Sequence, residues 1–260
     1  MTHALQAEWT KLRSVRSTGW SLLALVGFTV AFSALIGASS DTTGCDPGHP
    51  ECNDVVADSL GGVYVGQFAV VALAVLAISS EYATGMIRTT FAAVPRRRRV
   101  LAAKAVAVAG TVLLLGLVAS VASYEIARSL LAGNGFVAEN GYVEAGLADV
   151  ARPVAGTALY LTALGLLAFG LAVLLRHTAA AISTVLALLW VPILMPALLP
   201  ENVADQVLRL APMTAGLTIQ RTVERFDSVP IEPWAGLGVI WLYAAAAMAA
   251  AFWLVARRDA

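Results

Sequence analysis

Six stretches of this chain run for about twenty residues or more with almost no charge, and no other feature limits its fold so strongly. A helix crossing a hydrocarbon core of about 30 Å needs roughly 20 mostly apolar residues at about 1.5 Å each. In that solvent the backbone must also satisfy its own hydrogen bonds. The stretches are residues 19–38, 61–80, 105–126, 154–175, 178–199 and 234–256. With 59% hydrophobic and 13% charged residues, the 260-residue chain departs from soluble composition. The expected fold is an all-α integral membrane protein, one transmembrane domain over residues 1–260 with six transmembrane helices.

Arg176 and His177 alone divide the fourth and fifth stretches, which predicts a tight hairpin, because two polar groups are costly at mid-bilayer. The first stretch exceeds the apolar core of a signal peptide and follows a segment containing Glu8, so it is expected to be retained. The fifth ends in WVPILMPALLP, where Pro192, Pro196 and Pro200 predict a bend. Gly62, Gly66, Gly165 and Gly170 are expected where helices approach closely.

Net charge is zero, so no overall cationic field would draw in nucleic acid, and no nucleic-acid partner is expected. The distribution of charge is more informative. With the amino terminus inside, the inner segments carry twelve basic against three acidic residues, or +9, and the outer segments five against fourteen, or −9. The positive-inside rule then places both termini in the cytoplasm and the chain in the cell membrane. Three outer loops follow, near 39–60, 127–153 and 200–233. Residues 1–18 place Leu5, Trp9 and Leu12 on one stripe and predict an interfacial helix. Lys11, Arg13, Arg16, Arg96, Arg97, Arg98, Arg99 and Lys104 read as membrane-surface anchors to anionic lipid headgroups. In the third outer loop, Val203, Val207 and Leu210 share a helical face, and MTAGLTIQRTVERF is expected to form a second short helix partly returning into the membrane.

CDPGHPEC puts Cys45 and Cys52 in the first outer loop around His49. A disulfide suits an oxidising side, with free thiols and a zinc site as alternatives, the last short of a fourth ligand. No metal site is assigned. His3, His49 and His177 are scattered, and no polar pair is expected at depth in the spans, so no catalytic residue is assigned and the chain is not expected to be an enzyme. It also lacks a Gly-x4-Gly-Lys-[Ser/Thr] phosphate loop, so any nucleotide would bind another subunit.

The stretch 81–105 carries EY, GMIRTT, AAVPRR and VLAAK, and resembles the inner loop between the second and third spans of ABC-2-type transporter permeases, particularly actinobacterial ones. EWTKLRSVRSTGW at 8–20 is similar to their amino-terminal elbow helix, and RLAPMTAG at 209–216 to the segment between their last two spans. The resemblance implies the membrane subunit of an ATP-driven exporter, paired with a second permease copy, alike or different, and with two ATPase subunits that bind ATP and Mg. It further implies that 81–104 is the cytoplasmic coupling loop, with Glu81, Tyr82, Gly85, Met86, Ile87, Arg88, Thr89 and Thr90 meeting the ATPase. An apolar path would suit a hydrophobic or amphipathic cargo. The alternative is a non-transporting membrane scaffold or sensor subunit.

Overall fold

The computed structural model describes residues 16–40, 42, 54–86, 97–140, 142, 146–223 and 231–257. These are all-α. The long helices are α1 (Arg16–Ser39), α3 (Val63–Thr84), α4 (Arg97–Gly133), α5 (Leu147–Leu175), α6 (Thr178–Leu194) and α9 (Pro233–Arg257). Short ones are α2 (Val55–Ser59), α7 (Glu201–Leu210) and α8 (Pro212–Gly216), with 3-10 turns at Ala138–Asn140, Met195–Leu198 and Leu217–Gln220. Among the described residues six helices are long and apolar enough to cross a membrane, in keeping with the six expected spans. The interfacial helix over 1–18 lies almost wholly outside the described residues, as do Lys11, Arg13, Cys45, Cys52, Arg96 and Ile87 to Thr90.

Alternating helices run antiparallel around α5, the most enclosed of the six. Its Tyr160, Leu161, Leu164, Phe169 and Ala172 are fully buried and join residues of α3, α4, α6, α8 and α9 in one core. The outward faces are apolar too, with Leu23 and Phe28 on α1, Leu114 on α4 and Leu242 on α9 exposed. A bundle apolar on its outside as well as within is what a hydrocarbon solvent selects, and its helices then associate by close packing. That closeness is built at glycine. A Cβ on Gly62 or Gly66 would collide with Thr29 of α1, and one on Gly170 would meet the Ala247 carbonyl carbon of α9 at 2.9 Å. Gly165 does not serve this way: its nearest neighbour, Val70, would lie at an ordinary 3.5 Å.

The Arg176–His177 corner is the tight hairpin expected. Arg176 adopts φ 53°, the left-handed conformation that ends α5, and His177 Nδ1 accepts the Ala180 amide hydrogen to cap α6. The three prolines act at the other end of α6, where the helix passes Pro192, tightens to a 3-10 turn at Met195–Leu198 and stops.

The described part of the segment between the last two spans is helical as far as Gln220, and its halves differ. α7 is amphipathic and largely exposed, whereas α8 is buried against α9 and α6, and the 3-10 turn after it between α5 and α9. Gly236 makes room for this insertion, since a Cβ there would strike Ala215 and Thr218. Asp54 ties it down. Fully buried, its carboxylate caps α2 through the Ala57 amide and accepts from the Thr222 hydroxyl at 2.7 Å and amide at 2.9 Å.

Candidate functional site at the basic end of the bundle

One end of the bundle gathers the start of α4, the ends of α3, α5 and α9, and the start of α6. Arg97, Arg98, Arg99, Lys104, Arg176 and Arg257 lie there, and among the described residues Glu81 is the one acid. The opposite end holds eight acids among the described residues, Asp54, Asp58, Glu125, Glu139, Asp149, Glu201, Asp205 and Glu232, against Arg128, Arg152, Arg209 and Arg221. The bundle is thus electrically polar along its axis.

The stretch 81–104 is less of a loop than the sequence suggests. Glu81 and Tyr82 lie in the last turn of α3, which ends where Gly85 takes φ 71°, a conformation that favours glycine. Met86 follows, exposed. The chain is helical again from Arg97, so α4 begins eight residues before the expected boundary at 105. Arginine is a strong helix former, and the run RRRVLAAK continues into the span without a breaker.

That early start corrects one assignment. Lys104, expected at the headgroup surface, sits two turns inside α4, 2% exposed, with Nζ 2.6 Å from Glu81 Oε1. Glu81, expected to face a partner, is also 2% exposed. A buried pair of this kind adds little net stability, yet removing one member leaves a charge stranded in a low dielectric. The pair therefore fixes the end of α3 against the start of α4 and holds the two roots of the intervening segment together. Beside it, the Arg176 guanidinium stands 5.4 Å over the ring of half-buried Tyr82, so the α5–α6 corner leans on the same place. Arg98 and Arg99 are exposed.

A second polar cluster lies deep in the bundle, where the sequence reading expected no polar pair. The Tyr160 hydroxyl donates to Gln67 Oε1 at 2.8 Å, and Gln67 Nε2 donates to Met213 Sδ at 3.1 Å. Gln220 Nε2 reaches the Thr157 hydroxyl at 2.9 Å. Gln67 and Tyr160 are fully buried. Amide, phenol and hydroxyl groups satisfy one another here and lock the inserted α8 segment to α3 and α5. The available signal was Gln67 itself, a lone amide in an otherwise apolar span. No family model matches the chain, and no curated protein matches it either.

Proposed function

We propose that the chain is the permease subunit of an ABC-2-type transporter, exporting a hydrophobic or amphipathic cargo under the drive of a separate ATPase. In this reading the basic end faces the cytoplasm, both termini lie there, and an interfacial helix precedes the first span. Two permease copies associate in the cell membrane, and two ATPase subunits supply ATP and Mg chemistry below them. The observation that carries the proposal is the Glu81–Lys104 clamp. It stands at the roots of the segment whose residues resemble a coupling loop, at the bundle end richest in positive charge. A force on that segment would reach α3 and α4 as a pair, and through Tyr82 and Arg176 the α5–α6 corner. Two rigid arrangements of packed helices are the usual way such a push becomes an opening. The apolar side chains of the spans support an apolar path.

The test is co-expression with the ATP-binding subunit encoded by a neighbouring gene. Met86→Asp and Arg88→Ala should reach the membrane in normal amount while co-purification and stimulation of ATP hydrolysis fall roughly tenfold. Absence of a neighbouring ATPase gene, or full coupling by both variants, overturns the proposal.

A further inference from the structure

Beside the first turn of α4, exposed Arg98 and Arg99 form one wall of an open groove of about 520 Å³. Ala102 of α4 and Ala249, Phe252 and Trp253 of α9 complete it. Ala102 lies a turn further along α4, while the α9 residues recur at i, i+3 and i+4 on one face. Since the two helices run antiparallel, the groove is charged at the end of the bundle and apolar over the next turns inward. Arg257, outside the groove's lining, holds its guanidinium 4.4 Å from the Trp253 ring centroid. Among the described residues no carboxylate pairs with Arg98 or Arg99, because Glu81 is engaged by Lys104.

We propose that this groove binds one anionic phospholipid. Its phosphate sits between Arg98 and Arg99, its glycerol level with Trp253, and the start of one acyl chain runs along Ala102, Ala249 and Phe252. Guanidinium groups match phosphate oxygens in a fixed fork, and tryptophan belongs at the boundary between headgroup and hydrocarbon. The two alanines leave the width a chain requires. Basic pockets between spanning helices are a recognised way to select acidic headgroups. A second copy of the chain fits poorly, because a two-fold contact through this face would bring the arginines against their own images. The inference needs only that the helices sit in a bilayer, and stands or falls apart from the transport reading.

The experiment is native mass spectrometry of the full chain purified in detergent and exposed to equal amounts of phosphatidylglycerol and phosphatidylcholine. One phosphatidylglycerol should be retained in preference. Each arginine contributes about fivefold, so the double variant Arg98→Gln/Arg99→Gln should lose roughly 25-fold in affinity. The double lysine variant keeps the charge but loses the fork, and should fall between the parent and the glutamine variant. Ala249→Trp, with both arginines in place, should also reduce occupancy by filling the trough. Thermal unfolding of the lipid-free glutamine variant should match the parent, since both arginines are exposed. Equal retention of phosphatidylglycerol by parent and glutamine variant overturns the proposal. So does displacement of the lipid by inorganic phosphate at equal concentration, which would mark a simple anion site. Cross-linking of two copies through Ala249→Cys would mark the groove as a protein interface and has the same effect.

Discussion

Lys104 shows how far a few ångström of burial change what a residue does. At the headgroup surface its loss would cost little. Opposed to Glu81 and shut from solvent, it leaves a stranded carboxylate behind when removed. Glu81→Ala and Lys104→Ala should each destabilise the protein by about 3–5 kcal/mol, and Glu81→Gln with Lys104→Met should recover most of that. Thermal unfolding of the four proteins in detergent makes the comparison, and singles within about 1 kcal/mol of the parent would contradict the burial described. Loss of coupling in Glu81→Ala would then report unfolding as much as docking, which makes Met86 and Arg88 the better probes. The sequence singled out both Glu81 and Lys104, but for separate tasks. Distance from the end of an apolar stretch assigns a residue to a loop, and says nothing of a helix that begins earlier and turns that residue inward. Gln67 and Tyr160 were hidden for a different reason: they lie 93 residues apart, and no local pattern joins them.

Helix contacts can be separated by the same logic. Gly62→Ala and Gly66→Ala should push α1 away from α3 and destabilise by about 1–3 kcal/mol, while Gly165→Ala stays within about 1 kcal/mol of the parent. Unfolding midpoints in detergent would decide, and equal effects at all three positions would deny the close approach of Thr29. All four glycines look alike in sequence, because small residues in a span mark an opportunity for contact without naming the neighbour. The elements themselves were more legible. Spans follow from apolar length, the α5–α6 corner from Arg176 and His177, and α7 from the spacing of Val203, Val207 and Leu210. α8 was harder, since MTAGLTIQ has no charged face to show which side is buried.

Across the whole molecule, the segregation of charge sets orientation. If the basic end is cytoplasmic, Glu139→Cys and Asp205→Cys should react with an impermeant thiol reagent on intact cells and Arg257→Cys should not. The label should reach Arg257→Cys only after permeabilisation, and the reverse pattern would invert the bundle. One helix joins these two faces directly. α4 has 37 residues and so extends about 55 Å, well beyond a hydrocarbon core of about 30 Å. It contains no proline, starts among the arginines, and ends where Asn134 Nδ2 donates to the Gly37, Ala38 and Ser40 carbonyls at the end of α1. Such a helix is a lever. A tilt of about 5° around its midpoint swings each end by about 2 Å in opposite directions. Motion at the basic end therefore arrives, reversed, at the far mouth of the bundle through a single unbroken rod.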